Sequence, residues 1–388
     1  MPFYAAALAG PVVRSVLGRY HPLLLGAVWL GVQVLLYQRL GVKVVYDSHR
    51  YLAHAQALAG GQPLAWNYHL LYLGYTALLA GALALQVPLG AVVGLQVAAS
   101  GLAAVALYRL THYLTAGRRL AAALATLAYV AWPDLQAWNF YIHTDSLFTS
   151  LLVLYSSALL RVRRPWQALP LLPVLLWLWL LRPNGLLVVL ATLAYGLALL
   201  WERNRRVFWR VAGGLAAGAL LVLPPVAGAL LRAFVLLPVY QSGSLFGGHP
   251  FLAVSAEGLR LLSATSAASP GQQFLYYIWH NPAHFLTLFL LKLGAFFAQL
   301  RPYFSPWHNA AIALLLYPVY YWAARAVVEL RVPRPARWFF LTLIGLQAGI
   351  SALTLPDWDN RFMAPLLPGL FLLAAAALAP RLQGRAND

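Results

Sequence analysis

The stretch Val45-Tyr-Asp-Ser-His-Arg-Tyr-Leu-Ala-His-Ala-Gln-Ala-Leu-Ala59 breaks the chain just after its first long apolar segment. Residues 46–54 of it gather a carboxylate, two histidines, an arginine and two tyrosines. As a helix over 47–59 it carries Asp47, Arg50, Tyr51 and His54 at i, i+3, i+4 and i+7, on one face. So many polar groups do not belong in hydrocarbon. The long apolar run before it therefore reads as a membrane span, and this segment as an element at the membrane surface.

The rest of the composition agrees. Of 388 residues, 62% are hydrophobic and 9% charged, against about 25% charged in an ordinary soluble domain. Mean hydropathy is +0.71. The net charge of +18 does not form a basic face for nucleic acid: its arginines sit in short clusters between apolar runs, as the positive-inside rule expects of cytoplasmic loops. There is no cysteine, which excludes disulfides, thiolate catalysis and cysteine-ligated zinc. Pro2 to Leu17 is weakly apolar and shows no clear cleavage pattern.

Runs long enough to cross, at roughly 17–25 residues each, lie at 22–38, 88–109, 119–138, 143–160, 183–200, 207–235, 308–328, 335–355 and 361–380, with a shorter proline-bearing run at 166–181. Two more, 68–86 and 274–300, are ambiguous. Placing the clusters Arg14/Arg19, Arg109/Arg118/Arg119, Arg161/Arg163/Arg164, Arg203/Arg205/Arg206/Arg210, Arg325/Arg331/Arg334/Arg337 and Arg381/Arg385 on one side requires that neither ambiguous run crosses. Segments 64–86 and 274–300 then lie along, or dip into, the outer surface. Their Trp66, Asn67, Tyr68, His69, Tyr72, Tyr75, Tyr276, Tyr277, Trp279, His280 and His284 suit an interface. The expectation is an all-α polytopic bundle of about ten spans, both termini inside, in one domain over 1–388. It comprises a module at 20–235 with a first outer loop at 39–87, an outer loop and interfacial helix at 236–307, and C-terminal spans at 308–380.

On that topology six of the nine acidic residues, Asp47, Asp134, Asp145, Glu257, Asp357 and Asp359, lie on the outer side or at its edge. Asp47 reads as the chemical centre; the alternative is a helix N-cap, a role Ser48 could also fill. Arg50 suits a phosphate through its fork of donors, or a lipid headgroup. Asp145, in Trp132-Pro-Asp-Leu-Gln-Ala-Trp-Asn-Phe-Tyr-Ile-His-Thr-Asp-Ser146, opens an apolar run and is either functional or a cap. Arg182 sits in the tight turn Leu181-Arg-Pro-Asn-Gly185. Arg361, in Leu355-Pro-Asp-Trp-Asp-Asn-Arg-Phe-Met-Ala-Pro365, opposes both the helix dipole and the positive-inside rule, so Asp357, Asp359 or a bound phosphate should compensate it. Lys292 lies inside an apolar helix, where an amine costs roughly 2.5–3.5 kcal/mol unless it meets an anion or the surface. His49 and His54 lack the partners of a metal site. Gln241-Ser-Gly-Ser-Leu-Phe-Gly-Gly-His249 reads as a flexible loop.

Tyr46-Asp47-x-x-x-Tyr51, the Thr144-Asp145-Ser146-Leu147-Phe148 step, Leu181-Arg-Pro-Asn-Gly185, the Asn281-Pro282 to Lys292 helix and Asp359-Asn-Arg-Phe-x-x-Pro365 occur in this order over residues 20–380. In that order and placement they resemble the GT-C glycosyltransferases, in particular bacterial protein mannosyltransferases and aminoarabinose-transferase-like enzymes. Ser48 stands where that group has the second residue of an acidic pair, and the Asn67-Tyr68 region lacks its Pro-Pro-Leu-Tyr run. The resemblance implies a membrane enzyme of the bacterial inner membrane with its site on the periplasmic side and a sugar on a polyprenyl phosphate as donor. It carries the catalytic aspartate onto Asp47. The expectation is no cofactor, with a divalent metal as the less favoured alternative; the expected partners are the donor, an acceptor of unstated identity and membrane lipids, with no nucleic acid.

A carboxylate at an outer surface with scattered cations fits that substrate on physical grounds as well. Asp47 would take the acceptor's proton and the sugar carbon would invert. Arg50, Lys292, Arg182 and Arg361 are the candidate phosphate cations, and Tyr51, His54, Asp145 and Asp359 the candidate substrate contacts. The alternatives are a transporter or flippase for a lipid-linked glycan, which should hold charges near the middle of its spans, and a polymerase or ligase using a pyrophosphate-linked donor.

Overall fold

A computed structural model describes residues 11–63, 68–233, 236–246, 252–262, 268–355 and 359–382. Among them are sixteen α-helices, short 3-10 turns, two isolated bridges and no strand. The helices are α1 (Pro11–Leu40), α2 (Asp47–Ala59), α3 (Leu73–Ala84), α4 (Leu89–Leu114), α5 (Arg119–Val130), α6 (Pro133–Ala137), α7 (Thr144–Leu159), α8 (Leu172–Leu181), α9 (Gly185–Arg203), α10 (Arg205–Ala233), α11 (Leu236–Gln241), α12 (Pro270–His280), α13 (Pro282–Ala298), α14 (Pro306–Val328), α15 (Arg334–Leu353) and α16 (Leu367–Leu378).

Among the described residues five helical segments are long and apolar enough to cross a bilayer: Tyr20–Leu40, Leu89–Leu114, Gly185–Arg203, Pro306–Val328 and Arg334–Leu353. They leave large apolar side chains bare, such as Leu23 (70% exposed), Leu102 (62%) and Leu314 (74%). In water that surface would drive association; facing lipid it is at home. The chain is a helical integral membrane protein.

Several of the apolar runs are shorter or broken as helices. Within the run 119–138 the short α6 covers Pro133–Ala137 and the main helix, α5, only Arg119–Val130, about 18 Å at 1.5 Å per residue. Pro133 ends it, since proline brings no N–H and restricts its predecessor; Trp132 is extended at φ −81, ψ 104. The run 274–300 is not one helix. It divides at Asn281-Pro282 into α12 and α13, bent by 101°, which makes the pair a broken span or a re-entrant hairpin. The run 68–86 is a 3-10 turn, Tyr68–Tyr72, leading into α3. Trp66, Asn67, Asp357, His249 and Arg385 lie outside the described residues.

The chain forms two compact units, residues 1–185 with 318–333 and 364–388, and residues 186–317 with 334–363. In the first, α4 packs on α5 and α7, and α16 packs on α5. Small side chains let these backbones approach: Ala121, Ala122 and Ala125 of α5 and Ala374 to Ala377 of α16 are all buried. Arg118 Nη1 donates to the Ala379 carbonyl at 2.6 Å, which closes the end of α16. Gly101 of α4 meets Trp29 of α1 so closely that a Cβ would sit 2.9 Å from the indole.

In the second unit α13 packs on α15. An aromatic cluster of Tyr240, Phe274, Tyr277 and Leu288 joins α11, α12 and α13. Tyr240 Oη donates to the Ala352 carbonyl at 2.9 Å.

Candidate functional site

The segment that leads into α2 is zipped to the turn that leads into α7 by backbone hydrogen bonds. Lys43 N donates to the Phe140 carbonyl at 2.8 Å, and Ile142 N donates to the Lys43 carbonyl at 3.0 Å. His143 Nε2 lies 3.1 Å from the Val45 carbonyl, and Val45 N donates to Ser48 Oγ at 3.1 Å. Between these anchors Tyr46 takes φ 43, ψ −107, a conformation a tyrosine holds only when its surroundings impose it.

Helix α2 starts at the next residue, Asp47, and no side chain caps it. Capping therefore does not account for Asp47. Its carboxylate meets Arg50 Nη2 at 3.0 Å, with the side chains 25% and 33% exposed respectively, so the pair sits on the rim. The Arg50 guanidinium also lies over Tyr51 and Tyr72, 5.4 and 5.3 Å from the ring centres. Tyr51 turns inward against Tyr72, Tyr75 and His143. One turn on, His54 lies against His69 with ring centres 3.6 Å apart and the planes tilted by 41°. Burial, His54 and Arg50, in that order, push the His69 pKa below its ordinary value of 6.5.

Asp145 lies deeper, in the first turn of α7, and α7 too has no side-chain cap. Arg182 Nη1 donates to Asp145 Oδ1 at 2.5 Å, and His143 Nδ1 is 3.7 Å from Asp145 Oδ2. All three residues are buried. The turn 182–185 aims Arg182: Gly185 N donates to the Arg182 carbonyl at 2.8 Å, with proline and asparagine at its two corners. A Cβ on Gly185 would run into the Leu178 carbonyl, so the turn needs glycine for space.

Beneath these charges lies a polar network that the sequence did not single out. Gln33 Nε2 and Ser100 Oγ each donate to Gln136 Oε1 at 2.9 Å. Asn139 Nδ2 donates to Gln33 Oε1 at 2.9 Å, and Ser146 Oγ to Asn139 Oδ1 at 2.5 Å. Gln96 Nε2 donates to the Asn139 and Tyr141 carbonyls at 2.9 Å, and its Oε1 accepts from Tyr75 Oη at 2.9 Å. Side chains from α1, α3, α4 and α6 thereby hold the turn that carries His143 and Asp145.

Asp47, Arg50, Tyr51, His54, Asp145 and Arg182 all belong to this first unit; Lys292, Asp359 and Arg361 belong to the second. Lys292 is fully buried, at 0% exposure. Its Nζ sits 4.1 Å from the centre of the Tyr240 ring and has no hydrogen-bond partner or carboxylate among the described residues. Tyr277 Oη and His284 Nδ1 are paired at 2.6 Å. Asp359 Oδ1 accepts from the Arg361 backbone N at 3.3 Å, and Arg361 lies over Phe362. Asn360, at φ 63, donates to the Gln299 carbonyl at 2.7 Å. A second buried cation went unnoticed in the sequence: Arg301, stacked 4.5 Å over Phe246, with its backbone held by the Asn309 side chain. Its place in a short Arg-Pro loop gave no periodic signal.

Among the described residues no three histidine, aspartate or glutamate side chains come together as metal ligands. No protein-family model matches the chain, and neither a curated protein nor a solved structure does.

Proposed function

We propose that the protein is an inverting glycosyltransferase of about ten spans that moves a sugar from a polyprenyl phosphate to an acceptor hydroxyl at the outer face of a bacterial inner membrane. The observation that carries this reading is Asp47: a rim carboxylate that caps no helix, held by Arg50 at 3.0 Å against an aromatic wall of Tyr51 and Tyr72. The resemblance to GT-C enzymes over residues 20–380 supports it too, as does the membrane character of the fold.

In this mechanism the acceptor O–H gives its proton to the Asp47 carboxylate as the oxygen attacks the sugar's anomeric carbon. The bond from that carbon to the phosphate oxygen breaks with its electron pair going to the phosphate, so the configuration inverts and the leaving group needs no proton. Arg50 supplies charge at the rim. Lys292 and Arg361 are the second unit's candidates for binding phosphate, and Lys292 has the stronger claim, being a buried amine without an anion.

The test is transfer from synthetic polyprenyl-phosphate sugars by the purified protein. Wild type should give product of inverted anomeric configuration, insensitive to chelator. Asp47→Asn should lose about 10²–10⁴-fold while melting at the wild-type temperature. Full turnover by a folded Asp47→Asn protein would remove the proposal.

A flippase for a lipid-linked glycan is a second reading, favoured by the buried Asp145–Arg182 pair. It predicts lipid-linked sugar crossing proteoliposomes with no product formed.

A further inference from the structure

The turn Arg203-Asn204-Arg205 between α9 and α10 and the first residue of α15, Arg334, surround a cavity of about 320 Å³ lined by Trp201, Glu202, Arg203, Arg205 and Arg334. All five residues lie in the second unit, and none of them is assigned to sugar transfer. Both the Arg205 and the Arg334 guanidinium groups lie over the Trp201 ring, 4.9 and 5.3 Å from its centre. Neither forms an ion pair among the described residues. The two like charges of Arg205 and Arg334 thus share one indole, an arrangement that repels itself until an anion enters.

The helix start beside the cavity is already satisfied. Asn204 Oδ1 accepts from Arg206 N at 3.0 Å and from Val207 N at 3.1 Å, so the arginine side chains are what a ligand would meet. Trp201 also packs on Phe208 and Trp209, and Trp209 is exposed. Indoles clustered at the ends of spans are the anchor of a membrane–water interface. A phosphate that arrives there in quantity is a lipid headgroup, and basic pockets between spans take such headgroups.

We propose that this cavity binds the phosphate of an anionic phospholipid, with Arg205 and Arg334 as its donors and Trp201 as the plate that holds them. Two guanidinium forks suit phosphate oxygens, and the single Glu202 weakens the site without cancelling it.

Native mass spectrometry of the full-length, delipidated protein tests this with phosphatidylglycerol, phosphatidylcholine and inorganic phosphate as probes. Wild type should bind phosphatidylglycerol at least about fivefold more tightly than phosphatidylcholine. Arg205→Gln/Arg334→Gln should reduce that preference to about twofold or less, while Arg161→Gln/Arg163→Gln, a basic pair elsewhere, should retain it. Glu202→Gln changes one exposed side chain and should raise the preference about two- to threefold. Equal binding of the two lipids by wild type overturns the proposal. So does an equal loss in the control pair, an unchanged preference in Glu202→Gln, or displacement of the lipid by inorganic phosphate at matched concentration.

Discussion

Arg182 and Asp145 meet at 2.5 Å across 37 residues of chain, both buried, with His143 Nδ1 3.7 Å from the far oxygen. A pair so enclosed adds little over an apolar pair of the same shape, but removing one partner strands a charge. Asp145→Asn and Arg182→Met should each lower stability by about 3–5 kcal/mol, whereas Asp145→Leu/Arg182→Met should recover most of the loss. Thermal unfolding in detergent reads the difference. A double variant no more stable than either single one would mean that the pair is held for more than charge balance.

Arg50 lies between Asp47 and the rings of Tyr51 and Tyr72, so it can position the base and meet the donor phosphate. Arg50→Lys keeps the charge and loses the planar fork. The expected outcome in the transfer assay is a donor KM raised about tenfold with a smaller fall in kcat. A fall in kcat alone would assign Arg50 to orienting Asp47 and not to the donor.

What was legible in the sequence is local. The polar break at 45–59 announced a helix because its residues recur at helical spacing, and Pro183-Asn184-Gly185 announced its turn through corner chemistry. What was not legible depends on partners far along the chain. Gln33 finds Gln136 across 103 residues and Asn139 across 106, and a lone glutamine in an apolar run says nothing of which helix it will meet. The breaks at Pro133 and Pro282 were visible as residues, yet apolar counts alone ran straight through them. Asp145 carried its own signal; that Arg182 would neutralise it did not follow from either motif.

His69 gives a pH prediction. Its pKa is lowered in the folded state by burial first, then by His54 and Arg50. The unfolded chain therefore takes up the proton more readily than the folded one. Stability is full above the ordinary value of 6.5 and is lost as pH falls from there toward the lower folded value. The melting temperature should drop between pH 7.5 and 5.5, and His69→Gln should shrink that drop. An identical drop in the variant would place the acid sensitivity elsewhere.

Lys292 separates function from stability. The Tyr240 ring returns about 2 kcal/mol to a desolvated cation, while desolvating an ammonium costs several. No hydrogen bond offsets the balance among the described residues. A sequence selected only to fold would not keep an amine there, and Met fills the same volume without the charge. Lys292→Met should therefore melt at or above the wild-type temperature while donor KM rises at least about tenfold. Lys292→Arg, with charge but a longer and broader head, should keep part of the donor affinity and lose stability through crowding against Tyr240 and Leu288. If Lys292→Met instead melts well below wild type, the amine is a packing element and the phosphate role fails with it.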